Sequence, residues 1–434
     1  MCMRHRCFLR DCQDCNRKGA GKGTNMDRDK FLEPETRCGY YISEEQKKLW
    51  SLEMETYEKL AEVCNKHGLK FFVSCGTLLG AVRHKGFIPW DLDMDVCMPR
   101  TDYDKLIYIA ADEFRDPFEL QTTDAEHDFF VGFGKLRNSK GTMFFKGDAG
   151  KQCNHGVWVD IFPLDNVSDN ETEWLKQSKH VQRYHYLCHA HVYGKVFYRH
   201  YEDKVWEWNL AKSWAAFLCR VKSFAWLNQK FLDAVQQYNS QDTKRTGMIS
   251  LGAAPEKKYN KNYYSIYKED YEELVYLDFE YLKVPAPKGW HRYLETTYGD
   301  YMELPDASRR KAKYLENVID PYTPYQQFDF SAYTDIFEYG RGKDFLLFGG
   351  GHACDMFIAM YRKKCNFVAI YDNNKEKWGT AFKGIPIRCP DDLKKDMGGN
   401  SLIVITSSYD REISQQLRKM GIFEYRHYVF GRYY

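Results

Sequence analysis

The sequence predicts an α/β protein in two parts, a large mixed α+β region followed by a smaller parallel α/β unit. Three observations carry this expectation. Short apolar runs bounded by glycine or proline alternate with stretches of helical period from residue 43 onward. One run, WDLDMDV at 90–96, alternates acid and apolar side chains with the period of a strand. From residue 340 the chain repeats strand, turn and helix, which is the pattern of a parallel sheet.

Taken in order, residues 1–42 read as a disordered leader. Cys2, Cys7, Cys12 and Cys15 could hold zinc, but NRKGAGKGTN continues them as a basic, small-residue stretch, with Met26 as a candidate start. Ser43 followed by Gln46 is a capping box. Leu49, Leu52, Tyr57, Leu60 and Cys64 then recur at helical spacing, and Gly68 is placed to end the helix. A strand is expected over 70–75, breaking at Gly76 and Thr77 into a small-residue helix to Arg83. The loop HKGFIPW leads to a strand over 91–98, stopped by Pro99, and Thr101 caps a helix to about Phe114. Two strands are expected within 129–145 and another over 156–162. Residues 170–241 read as a helical, aromatic-rich subdomain carrying Trp174, Trp206, Trp208, Trp214 and Trp226. The first domain is thus 43–327 and the second 340–434.

Lys and Arg number 63 against 61 for Asp and Glu, a balance that argues against a bulk basic footprint for nucleic acid. No apolar run is long enough for a spanning helix, and the first residues lack the apolar stretch of a secretory signal. The 14 cysteines show no disulfide spacing, so reduced thiols in the cytoplasm are expected. Aromatic residues at 16% suit surfaces that stack on sugars or enclose a cation.

In a strand, Asp91, Asp93 and Asp95 share one face while Leu92, Met94 and Val96 seat on the core. Three like charges so close repel unless a hard divalent cation, Mg2+ or Mn2+, sits among them. Asp160 lies within GVWVDIF, where apolar neighbours make an unpaired carboxylate costly; a strand neighbour of the first acids would explain it, as ligand or general base. An ion pair with an arginine would explain it too.

The block GTLLGAVRHKGFIPWDLDMDV, with VDIFPLD, VPAPKGWHRYL and YGDYMELP after it, resembles LicD-type phosphotransferases, related to the fukutin group within the nucleotidyltransferase superfamily. The resemblance covers roughly 43–325. Leu92 stands where that family commonly has a second adjacent aspartate, and RRKAKY at 309–314 lacks an expected histidine. The resemblance implies a nucleotidyltransferase-like fold with Asp93, Asp95 and Asp160 as metal ligands and catalytic acids. It implies transfer of phosphocholine or ribitol phosphate from a CDP-linked alcohol to a glycan hydroxyl, with CMP leaving. Gly76 and Thr77 would approach the donor phosphates, and Arg83, Lys85, Lys135 and Arg137 are candidates to hold phosphate oxygens. Asp91 would bind substrate or orient the metal pair. Trp90 and Trp158 are the aromatic residues nearest the acids for a quaternary ammonium. A lipid-linked glycan acceptor would bring a cytoplasmic enzyme to the inner membrane face. Nucleotidyl transfer from a nucleoside triphosphate, and a nucleotide-sensing protein without catalysis, are the competing readings.

In the second domain, FLLF followed by GGGHAC resembles a Rossmann-type turn, with Asp372 where a ribose-binding acid would sit. Cys354 replaces the third glycine of the fingerprint. No cofactor is assigned on so short a motif.

Overall fold

The computed structural model describes residues 28–123, 129–145, 148–149, 151–192, 218, 221–255, 265–310, 317–330, 342–362, 365–422 and 425–427. The four N-terminal cysteines, Trp206, Trp208, Trp214 and most of RRKAKY lie outside these residues. Helices and strands are mixed throughout, and the chain separates into two compact units. One comprises residues 1–141 and 153–312, the other 142–152 and 313–434.

In the first unit, a short helix α1 (Arg28–Phe31) precedes a hairpin of β1 (Glu35–Arg37) and β2 (Tyr40–Ile42). This structure lies within the stretch expected to be a leader. The pattern gave no sign of it because it is held by distant partners: Arg37 donates to both carboxylate oxygens of Glu280, at 2.5 and 2.7 Å. Glu280 also accepts from the Phe87 backbone N–H at 3.1 Å, so the hairpin braces the loop that leads into the acids.

The helix α2 (Glu44–His67) begins and ends as its sequence predicts. The Ser43 Oγ accepts from the Gln46 N–H at 3.2 Å, and Gly68 takes a left-handed φ of 62° that a side chain would resist. Its inner face buries Trp50, Met54, Tyr57 and Leu60, and Trp50 stacks on Phe87 with ring centroids 4.5 Å apart. Next come β3 (Phe72–Val73), α3 (Cys75–Arg83), β4 (Met94–Pro99) and α4 (Arg100–Glu113). A Cβ on Gly80 would meet the Gly86 carbonyl at 2.4 Å, so a glycine is what lets α3 lie against the following loop.

The main sheet is completed by β5 (Phe118–Gln121), β6 (Gly134–Asn138) and β8 (Val157–Asn166). Its far end is β9 (Arg245–Gly247) and β10 (Ser265–Tyr267). Along its main path the order is β10-β9-β8-β4-β3, and β6 joins β8 and carries β5. A separate hairpin, β11 (Leu274–Phe279) with β12 (Leu282–Pro287), covers part of the core. Two helices, α5 (Glu171–Val192) and α6 (Phe224–Val235), share an apolar cluster around Trp174, Val181, Leu227 and Phe231. They are the described part of the helical stretch expected over 170–241.

In the second unit, β7 (Thr142–Phe145) pairs with β13 (Asn317–Asp320). A six-stranded sheet contains β14 (Asp344–Phe348), β15 (Asn366–Tyr371), β16 (Ala381–Phe382), β17 (Ile385–Arg388), β18 (Ser401–Ile405) and β19 (Arg426–His427), in the order β16-β17-β15-β14-β18-β19. All its pairings are parallel except β16 with β17. The helix over His352–Tyr361 follows the glycine turn after β14. Asp372, just beyond β15, accepts from the Gly350 N–H at 2.8 Å and from Lys377 Nζ at 2.9 Å.

Candidate active site

The register of the main sheet assembles a row of charge. In β4, β8 and β6, Asp95 is opposite Asp160 and Asp160 is opposite Lys135. Residues opposite one another in adjacent strands project from the same face, so the three side chains form one line across the sheet. Asp93 precedes β4, and its carboxylate joins them. One oxygen each from Asp93, Asp95 and Asp160 lies within 4.8 Å of the others, and all three residues are buried. Thr77, at the start of α3, accepts the Asp95 backbone N–H on its Oγ1 at 2.8 Å. This bond pins the start of β4 beside the glycine turn.

Lys135 Nζ meets Asp160 Oδ1 at 2.5 Å, so the third acid pairs with a lysine rather than an arginine. Burial pulls the Lys135 ammonium below the ordinary lysine range, while Asp160 and Asp93 hold it up. The indole of Trp158 underlies both basic residues of β6, with Lys135 Nζ 4.3 Å and the Arg137 guanidinium 4.7 Å from its centroid. Arg137 also donates to Gln121 Oε1 and to the Gly156 carbonyl, each at 2.9 Å. Lys135 and Arg137 therefore share one strand face, as alternation predicts.

Asp91 departs from its predicted place. The strand starts at Met94, not at Asp91; the Asp91 N–H turns back to the Ile88 carbonyl at 2.8 Å, and its own carbonyl accepts from the Trp50 indole at 3.0 Å. A turn held at both ends breaks the alternation, so Asp91 does not belong to the 4.8 Å group, although it is buried. Trp90 is also buried, its ring packed by Tyr40, His84 and the Arg310 guanidinium. Arg83 spends its donors on the Tyr301 and Glu303 carbonyls at 2.8 and 3.2 Å, anchoring α3 to that loop. Lys85 is exposed, with a positive φ of 58°. Gly76 lies in the first turn of α3.

One residue escaped the sequence reading. Glu53 of α2 is fully buried, with no hydrogen-bond partner on either carboxylate oxygen. Burial pushes its carboxyl well above the usual range, and Asp93, Asp91, Asp95 and Asp160 push it further, Asp93 most. The available signal was a charge on an apolar stripe, since Trp50, Glu53, Tyr57 and Leu60 share one helix face.

His84 supplies a pH prediction. Burial, with help from Arg83 and Arg37, lowers its pKa from 6.5 to about 3, and Arg83 Nε donates to its Nε2 at 2.9 Å. Protonation would remove that acceptor. Between pH 6.5 and 3 the unfolded chain takes up the proton before the folded one, so stability falls as pH falls, by up to ~1.4 kcal/mol per pH unit. Urea midpoints measured at pH 7 and pH 4.5 should separate more in wild type than in His84→Gln; equal separation would assign the acid sensitivity elsewhere.

The donor set fits a hard cation: clustered, buried oxygens with no sulfur or imidazole among them suit Mg2+ or Mn2+. Among the described residues, no helix is long and apolar enough to cross a membrane.

Residues 68–193 match the family described as LicD/FKTN/FKRP, nucleotidyltransferase domain, and residues 342–428 match C2185-like, N-terminal. Lipopolysaccharide cholinephosphotransferase LicD of Haemophilus influenzae is 26% identical over 262 residues, 59% of this chain and 91% of that protein. An uncharacterized protein of Rickettsia typhi is 42% identical over 64 residues, 14% of this chain and 19% of its own length. One of Rickettsia prowazekii is 43% identical over 54 residues, 12% of this chain and 19% of its own length. The first of these matches runs from Gly68 to just past α5 and so contains the whole acid row with Lys135. Over residues 68–193, which carry the acid row, the chain is similar to the LicD family.

Proposed function

We propose that this protein is a divalent-cation-dependent phosphotransferase. It moves a phospho-alcohol, phosphocholine or a polyol phosphate, from a CDP-linked donor to a glycan hydroxyl and releases CMP. The observation that carries this reading is the buried group of Asp93, Asp95 and Asp160, with oxygens within 4.8 Å of one another inside the family's domain. The named activity of the Haemophilus relative, matched over most of its length, favours phosphocholine as the moiety moved.

In the reaction proposed, a glycan oxygen forms a bond to the phosphorus bearing the alcohol. The bond from that phosphorus to the oxygen of CMP breaks, and the hydroxyl proton passes to a base. Bound at the three aspartates, Mg2+ or Mn2+ would neutralise phosphate charge and act as a Lewis acid. The protein's own share is positioning. Thr77 fixes the start of β4, Lys135 pairs with Asp160 and orients it, and Trp158 supports Lys135 from beneath. With Trp90 packed around its ring, Arg83 bonded to carbonyls and Lys85 exposed, the better-placed candidates for donor phosphates are Lys135 and Arg137.

We read the second unit as Rossmann-like. Its five parallel strands run 3-2-1-4-5 in chain order, and that order supports the reading. A cytoplasmic enzyme that meets a lipid-linked glycan at the inner membrane face accords with the lack of a spanning helix among the described residues.

The test is incubation with Mg2+ and a panel of CDP-alcohols and nucleoside triphosphates, followed by phosphorus NMR. CMP release is expected, slowly even with water as acceptor. Pyrophosphate release in its place would assign nucleotidyl transfer and sink this reading.

A further inference from the structure

Glu53 is a buried carboxylate facing other carboxylates with no partner on either oxygen. Such a group is tolerated only if it gives up its charge or is met by a cation. Its helix is tied to the acid loop. Three residues earlier on the same face of α2, Trp50 donates its indole N–H to the Asp91 carbonyl at 3.0 Å, so this part of the helix is clamped onto the acid loop. Further along, Thr56 Oγ1 donates to the Leu52 carbonyl within the helix at 2.7 Å.

The local charge does not balance. With Glu53 ionised, it and the four aspartates carry five negative charges against two on Lys135 and Arg137, and one divalent ion leaves one of them unmet; without a second cation the carboxyl must stay protonated. A CDP-linked donor would bring further negative charge. Glu53 also lies outside the group whose oxygens fall within 4.8 Å of one another, so it does not complete the shell of an ion held by Asp93, Asp95 and Asp160. Paired cations in phosphoryl-transfer sites stand about 3.5–4 Å apart and share a bridging carboxylate, which leaves the outer ligand of the second ion far from the first set.

We infer that Glu53 ligates a second divalent cation, which Asp93 bridges to the one held by Asp95 and Asp160. The inference rests on the metal-dependent reading above. Two carboxylates and several waters suit Mg2+ or Mn2+, with donor phosphate oxygens displacing some of the waters.

The test is a titration of the full chain with Mn2+, followed by electron paramagnetic resonance of free and bound ion, for wild type and Glu53→Gln. Wild type should bind two ions and the variant one. Melting in EDTA provides the control: Glu53→Gln should melt no lower than wild type, because it removes a buried carboxyl that has no hydrogen-bond partner and is crowded by other carboxylates, whereas a purely structural Glu53 would lower the melting temperature. One ion in both proteins, or two in both, overturns the inference while leaving the metal-dependent reading intact. No Mn2+ bound to wild type removes both. If Glu53→Gln does not fold, the wild-type stoichiometry decides alone.

Discussion

Asp93→Asn should abolish phospho-alcohol transfer, lowering kcat/KM by about 10³-fold or more. Of the three acids in the compact group, Asp93 lies outside the sheet. Asp95 and Asp160 sit in register on adjacent strands, with Asp160 held by Lys135. Asp93 has no ladder position to fix it and acts most strongly on Glu53. Asparagine keeps the shape but removes one negative charge and one strong oxygen donor from the proposed cation site. Several kcal/mol of transition-state stabilisation come from such ions, and each 1.36 kcal/mol is about tenfold in rate.

The loss should appear in metal binding as well as turnover. Mn2+ affinity, measured by the same titration, should fall sharply in Asp93→Asn, while melting in EDTA should hold or rise because one source of repulsion is gone. Asp91→Asn is the internal contrast. Asp91 is buried beside the site but set apart by the Ile88 turn and the Trp50 bond, so its effect should fall mainly on KM. If Asp91→Asn removed Mn2+ binding while Asp93→Asn spared it, the assignment of the acids would be reversed.

Much of this site was legible in the sequence because strand geometry is local. Alternation in WDLDMDV marks an acid face, and a lone aspartate among apolar residues in GVWVDIF marks a buried charge that needs neighbours. The parallel register that sets Asp95 opposite Asp160 turns those two clues into one row. Capping and turn chemistry are equally local, which is why Ser43, Gly68 and the strand-helix alternation after 340 fall where expected. What escaped depends on contacts far apart in the chain. The hairpin at 35–42 is held by Glu280, and the start of β4 is moved to Met94 by a tryptophan on α2. Glu53 reads as one charge on an amphipathic helix until the helix is laid over the acid loop. In each case the deciding partner is remote, so no window of local pattern contains it.

Replacing Lys135 by methionine should cost the metal-free protein about 3–5 kcal/mol, the usual penalty for leaving a buried ion-pair partner uncompensated. The lysine is 4% exposed, sits 2.5 Å from Asp160 and lies over Trp158, and Asp160 is itself buried, so water would restore little of the hydration that the pair replaces. Methionine fills similar volume, so the loss would report charge rather than packing. Saturating Mg2+ should shrink the deficit, because a bound cation offers Asp160 a second positive partner and binding to the folded state adds stability. Adding Asp160→Asn to Lys135→Met should recover part of the metal-free loss, since the stranded charge is then gone. Melting temperatures of wild type, the two single variants Lys135→Met and Asp160→Asn, and the double variant, each with EDTA and with Mg2+, check both expectations. A deficit that Mg2+ leaves unchanged would make the Lys135–Asp160 pair a structural brace unconnected to cation binding. A deficit that Mg2+ relieves would tie the lysine to the centre as the fixed charge that keeps Asp160 aimed before the cation arrives.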